Sequence, residues 1–304
     1  MPPPPQPNPR SGPPEAAWWS LAAVCFFWGT TYLGIRIALE GFSPMLLVAT
    51  RFLLSGTIIL AFALWRKWPL PTGAALWWPV GTGLLTLGIG NYFLTLAETY
   101  IPSGLAALFV TVGPFWMVGI DALISGGDKV RPKVFLGMLV GFAGAVFLVA
   151  PEALHSGFGG NTVKGFVILQ VSCAAWCLGS ILQKRRAAQT NPILVGAIQQ
   201  FAVGIVAAAF CLIDGQSTFH PSPRVLAAVL YLALFGSILA YSAYLYSLQH
   251  LPVAIASVYT YVNPVVAVSL GWLFFREEFG LRELSAMLVI FLGVWLVKRL
   301  SAFT

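Results

Sequence analysis

Ten apolar runs, each long enough to cross a lipid bilayer, follow one another along this chain with little between them. They lie at about 17–39, 44–65, 74–97, 103–124, 133–150, 164–183, 193–214, 224–248, 253–275 and 283–300. A helix of about 20 apolar residues spans the hydrocarbon. Inside lipid no water can satisfy backbone N–H and C=O groups, so such runs have to be helical. The connections are short and rich in Pro, Gly and Ser, as at Ser43-Pro44, Ile101-Pro102-Ser103 and Asn191-Pro192. The predicted fold class is an all-α membrane protein, a bundle of ten transmembrane helices.

Composition agrees with lipid as the main solvent. Only 9% of the 304 residues are charged, against about 25% in a soluble domain. The net charge of +7 comes from short clusters between the runs, such as Arg66-Lys67 and Lys184-Arg185-Arg186. They form no continuous stripe for a phosphate backbone, so no nucleic-acid partner is expected. With ten spans the termini share a face. That face would hold Arg10, Arg66, Lys67, Lys129, Arg131, Lys133, Lys184, Arg185, Arg186, Lys298 and Arg299, and the other Arg36, Lys164, Arg224, Arg276 and Arg282. The excess of basic residues predicts that both termini are cytoplasmic.

Residues 1–16, dominated by proline, are expected to be a disordered cytoplasmic tail. No secretory signal is expected, because the first apolar run continues to Leu39 and exceeds a signal's apolar core. The cysteines Cys25, Cys173, Cys177 and Cys211 all fall in apolar runs. Cys173 and Cys177 share a helix face without a metal or redox spacing, which suits packing residues. No disulfide, metal or cofactor is expected.

An internal repeat organises the chain. Trp28 precedes Pro44 as Trp176 precedes Pro192, and Arg51 and Gln199 stand seven residues beyond those prolines. Ile101-Pro102 parallels Leu251-Pro252, Pro114 parallels Pro264, and Asp128 parallels Glu278, always 148 to 150 residues apart. The expected units are 17–155 and 156–304. Five spans is an odd number, so the second unit enters the membrane upside down. Inverted repeats are a common architecture of secondary carriers, because each half can adopt the shape the other holds.

These residues resemble the drug/metabolite transporter superfamily, in particular its EamA-type members, and are most similar to YddG-type amino-acid exporters. The resemblance rests on Trp28-Gly29-Thr30, Arg51, and Ile101-Pro102-Ser103-Gly104-Leu105-Ala106-Ala107 leading to Pro114. The second half contributes Leu251-Pro252-Val253-Ala254, Pro264 and Arg276-Glu277-Glu278. It covers about 17–297. One departure is Gly126-Gly127-Asp128, where the family usually has a Gly-Glu pair; Asp keeps the charge. The resemblance implies a bacterial-type inner (plasma) membrane carrier of small molecules, the family's cargoes being amino acids and other metabolites.

Polar and aromatic side chains deep in a span should face protein or water. Those expected to line a central substrate cavity are Trp28, Thr31, Asn91, Tyr92, Thr95, Trp116, Trp176, Ser180, Tyr241, Tyr244, Tyr259 and Asn263. Small hydroxyl residues also serve as packing contacts between helices, and that alternative stays open for Thr31, Thr95 and Ser180. Trp18, Trp19, Trp65, Trp68, Trp77 and Trp78 lie at span ends and suit an interfacial belt. Rings mixed with neutral polar groups suit a solute with an apolar body and a polar head, such as a sizeable amino acid.

Arg51 is the one strong charge well inside a span, either a handle for a substrate carboxylate, a gate, or a structural bond to helix carbonyls. Glu98, with Asp121 and His250, is close enough to the interface to be solvated, proton coupling being the alternative. Pro114 and Pro264, expected mid-helix, free the carbonyls of Val110 and Thr260 and are candidate hinges. The expected activity is export of amino acids, aromatic or otherwise sizeable, or related metabolites by alternating access, without enzymatic chemistry. An organophosphate or nucleotide-sugar exchanger of the same superfamily is the alternative, and a membrane-embedded enzyme a more distant one. A phosphate cargo would call for several cavity cations, and an enzyme for clustered acids, a metal set or a Ser/His constellation.

Overall fold

A computed structural model describes residues 14–124, 136–137, 139–147, 150, 160–185, 191–215, 218–251, 253–277 and 280–301. Residues 1–13 of the expected tail, Asp128 and Glu278 lie outside the described residues, as does most of the loop region flanking the fifth expected span; Glu15 and Ala16, expected in the tail, instead open the first helix. Regular structure among the described residues is entirely helical, apart from one isolated bridge between Phe42 and Phe219. Seven helices are long and apolar enough to cross a membrane. They are α1 (Glu15–Ala38), α2 (Pro44–Trp65), α3 (Ala75–Ala97), α4 (Ser103–Leu123), α6 (Asn161–Arg185), α7 (Pro192–Asp214) and α8 (Pro223–His250). Between and after them come α5 (139–147), α9 (Tyr259–Phe275) and α10 (Leu281–Ser301).

The local reasons for these boundaries are in the sequence. Proline occupies the first turn of α2, α7 and α8, where its missing N–H has no helical partner to lose. Asn191 caps α7 by accepting from Ile193 N at 2.9 Å, and Gly215 ends that helix in the left-handed region at φ 62°. The ninth expected run, 253–275, is interrupted: a turn at Ser257 and Val258 separates Val253–Ala256 from the 17-residue α9. A similar turn at Thr111 and Val112 divides α4. Pro114 is therefore not mid-helix as expected. It stands in the first turn of Gly113–Leu123, while Pro264 does lie inside α9.

Two π-helical stretches break the regularity of α3 and α8, at Leu84–Asn91 and Leu232–Leu239. They are 148 residues apart, and each has glycine at its fifth position, Gly88 and Gly236. A π turn misaligns backbone carbonyls, and here side chains from other helices take them up. Trp28 Nε1 donates to Gly236 O at 3.1 Å, Gln200 Nε2 to Ser237 O at 3.3 Å, and Ser172 Oγ to Gly90 O at 2.6 Å.

Packing between the halves is reciprocal. Helix α2 lies along α7, α1 packs on α8 and α9, and α6 packs on α3 and α4. At the α2–α7 crossing a Cβ on Gly56 would sit 2.5 Å from Phe201 N, and one on Gly204 would sit 2.5 Å from Leu53 N. Gly56 and Leu53 are the counterparts of Gly204 and Phe201 at the 148-residue offset. Residue i meets j′ while j meets i′, the signature of a two-fold contact. Ser247 Oγ donates to Ala17 O, so α8 ends beside the start of α1. On the opposite face Ser43 N donates to Thr218 O at 3.1 Å and His220 N to Gly41 O at 2.8 Å.

Matched cations brace the helix ends. Arg36 near the end of α1 donates to Glu98 O at 3.1 Å, and Lys184 near the end of α6 donates to Leu248 O at 3.1 Å and Leu251 O at 2.6 Å. Both place positive charge on the last carbonyls of a helix, where it is favoured. Both residues, expected only as charges at span ends, therefore also hold helices together.

Candidate functional site

Where α1, α2, α3, α4, α6, α8 and α9 meet, they enclose a cavity of about 90 Å³. Its wall is mostly carbon, and Arg51 is its one charged side chain among the described residues. Nine of the residues singled out in the sequence line it: Trp28, Thr31, Arg51, Asn91, Pro114, Trp176, Tyr241, Tyr259 and Asn263.

One side of the wall is a cluster of rings. Trp28 is at its centre, with ring centroids 5.3 Å from Trp176, 4.9 Å from Tyr244 and 4.9 Å from Tyr259, the first and last edge-on. Such geometry places a positive ring edge on a negative face and adds about 1 kcal/mol per pair to simple burial. Trp28 and Trp176 are repeat counterparts, so their contact lies where the halves meet. Tyr244 stands behind the wall and donates to Ser180 Oγ at 2.8 Å. That bond takes both residues out of the lining.

Arg51 enters from α2. It is 4% exposed, its Nε donates to Ser237 Oγ at 2.6 Å, and its guanidinium carbon lies 5.1 Å from the Phe52 ring centroid. No helix-end carbonyl holds it, so the structural bond considered for it takes a different form, to the Ser237 hydroxyl. Its Nη2 lies close to Gly236, and both residues line the cavity. Across the wall, Asn91 Oδ1 is buried without a hydrogen-bond partner. A guanidinium and a carbonyl acceptor are complementary to a carboxylate and an ammonium respectively.

Its counterpart Gln199 has the opposite surroundings. Fully buried, it donates from Nε2 to Thr82 Oγ1 at 3.0 Å and to Gln183 Oε1 at 3.2 Å, and accepts from Tyr241 Oη at 2.8 Å. Thr82 also donates to Gln183 Oε1 at 3.0 Å. A satisfied polar network of this kind is rigid. The passage is thus filled around Gln199 and hollow around Arg51.

Other expected lining residues are placed elsewhere. Trp116 is 37% exposed and donates to Gln170 Oε1 at 2.9 Å, on the outside of α4. The expectation failed because depth along a helix does not fix the direction a ring points. Tyr92 leans on Phe93, and Thr95 Oγ1 back-bonds to Asn91 O at 2.9 Å. Asn263, with its amide nitrogen donating to Tyr259 O at 3.0 Å and Cys25 O at 3.1 Å, ties α9 to α1 while also touching the cavity. Pro264 is buried within α9 but outside the lining. Glu98 is not solvated at the interface as expected: it is 0% exposed and also outside the lining. Asp121 does reach water, 3.8 Å from Arg185, and His250 is exposed.

The wall also uses residues whose role the sequence did not announce, including Tyr32, Phe52, Gly90, Gly113, Cys173 and Cys177. Small residues give a cavity its room without any polar signature. Cys177 Sγ lies 3.3 Å from Gly113 O, so it donates into the break of α4. No group of three or more His, Cys, Asp or Glu able to hold a metal occurs among the described residues.

With this geometry in view, the relatives of the chain are informative. Residues 16–150 and 163–299 each match the EamA-like transporter family. Over 282 residues the chain is 37% identical to the uncharacterized inner membrane transporter YedA of Escherichia coli K12, covering 91% of this chain and 89% of YedA. It is 27% identical over 285 residues to protein PecM of Dickeya dadantii, covering 91% and 90%. A solved crystal structure shares the fold with a TM-score of 0.70 at 21% identity, over 95% of this chain and 99% of the other. The chain belongs to the EamA-like transporter family, with the family's unit present twice, and is a multi-pass membrane transporter.

Proposed function

We propose that the chain exports amino acids or related metabolites across a bacterial-type inner membrane by alternating access. The observation behind this reading is the pairing of Arg51 and the unpartnered Asn91 Oδ1 in one ring-walled cavity. A free amino acid presents a carboxylate to the first, an ammonium to the second and an apolar body to the rings. Phosphate esters would need more than one cation, and among the described residues the lining offers Arg51 alone.

The architecture in this reading is ten spans in two inverted five-helix units, 17–155 and 156–304, with both termini cytoplasmic. Reciprocal contacts at Gly56 and Gly204, matched π segments, and matched Arg36 and Lys184 braces support it. Pro114, following the turn in α4, and Pro264, inside α9, would serve as bending points of the moving hairpins. The test is counterflow in proteoliposomes with a panel of labelled amino acids. Saturable exchange of those with sizeable side chains is the expected result; absence of exchange across the panel overturns the proposal.

A further inference from the structure

Two carboxyl groups at the α3–α4 end of the molecule live under opposite conditions. Glu277, partly exposed in the α9–α10 connection, lines a surface groove. Its oxygens accept from Ser103 N at 3.0 Å, from Ser103 Oγ at 2.9 and 3.1 Å, and from Gly104 N at 3.1 Å. It therefore caps the N-terminus of α4, where negative charge is favoured, and latches the second half's hairpin end to the first half's. Gly271 leaves the room for it, since a Cβ there would crowd the carboxylate.

Glu98 terminates α3 one loop away. It is 0% exposed, and neither carboxyl oxygen has a hydrogen-bond partner. Its backbone is engaged instead, the oxygen by Arg36 and the N–H by Leu94 O. The groups acting on its side chain electrostatically are Glu277 from the α9–α10 connection, Arg36 from α1, Arg51 from α2, and the Tyr32 hydroxyl from α1. A dry carboxylate with no hydrogen bond is costly, and the neighbouring Glu277 adds like-charge repulsion. The protonated acid is the form this site can hold while the latch is closed.

We propose that Glu98 is a proton-binding site that controls the Glu277–Ser103 latch. With the latch open, water on that face reaches Glu98, and hydronium there gives up its proton to the carboxylate, leaving water and the neutral acid. The neutral acid can be buried, and Glu277 then seats on α4. Loss of the proton sets a buried charge against that of Glu277 and drives the latch open. The link to cargo movement rests on the alternating-access reading; the latch can be tested without any cargo.

Cys173 and Cys177 line the cavity, so their alkylation by a membrane-impermeant maleimide reports access to it. Membrane vesicles of both orientations, in a Cys25→Ser, Cys211→Ala background, supply each face in turn. Raising the pH on the latch side from about 6 to about 8.5 should speed labelling about fivefold or more relative to Glu98→Gln, a population shift toward the open latch. Comparison with Glu98→Gln cancels the thiols' own pH response. Glu98→Asp should keep the dependence. A Glu98→Gln profile that parallels the unsubstituted protein overturns the proposal. Should Glu98→Gln not fold, amide exchange at Ser103–Ala106 decides instead, a profile flat over the same pH range after intrinsic correction being the overturning result. Amino-acid counterflow without pH-dependent labelling would sink the proton site alone, and pH-dependent labelling without counterflow would sink the cargo reading alone.

Discussion

Arg51 donates to Ser237 and lines the cavity, so its loss should fall on cargo more than on the fold. A hydrogen bond to a charged group contributes about 1.5–3 kcal/mol, or about tenfold to a hundredfold in affinity. Arg51→Gln should raise the half-saturating concentration of a carboxylate-bearing solute by that range in counterflow. Trp116→Phe, on the outer side of α4, should leave the same assay unchanged; loss of exchange there would contradict its placement. The contrast between these two residues shows what a sequence reveals about a cavity. A polar or ringed side chain deep in an apolar run must face something other than lipid, and that reasoning located Trp28, Asn91, Trp176 and Tyr241. It could not say which way Trp116 pointed, because periodicity over one short helix leaves its azimuth free. Gly90 and Gly113, which contribute space and leave no chemical mark, and the two cysteines, which suited packing, were not placed in the wall by it.

At the scale of helices, the halves approach closely at the α2–α7 crossing. A side chain at Gly56 or Gly204 would strike backbone that cannot move aside. Overpacking of this kind costs about 1–3 kcal/mol. Gly56→Val and Gly204→Val should each lower the thermal midpoint in detergent, by similar amounts because the contacts are counterparts; a stabilised variant would refute the packing described. Span positions were legible from length and hydropathy alone, which is why α1, α2, α4 and α7 begin and end near their expected limits. The π stretches were not, since Gly88 and Gly236 fit an α-helical pattern as well as a π one. The break at Ser257–Val258 was hidden for a similar reason: an apolar run looks unbroken whether or not its backbone turns within it.

For the molecule as a whole, alternating access requires the Glu277 latch to part in every cycle. Replacing Ser103 and Glu277 with cysteines, in protein lacking its native thiols, should allow a cross-link that halts exchange, with reductant restoring it. Exchange that persists in fully cross-linked protein would show that this end need not open. The unequal pair at the centre has a wider consequence. Arg51 faces a hollow while its counterpart Gln199 is locked into a filled network. Swapping the shapes of the halves would set a neutral amide where the cation now waits and force a cation into packed surroundings. Those two arrangements cannot have equal energy. Under the alternating-access reading, a duplicated frame with a mismatched station at its centre rests in one of its two states by preference.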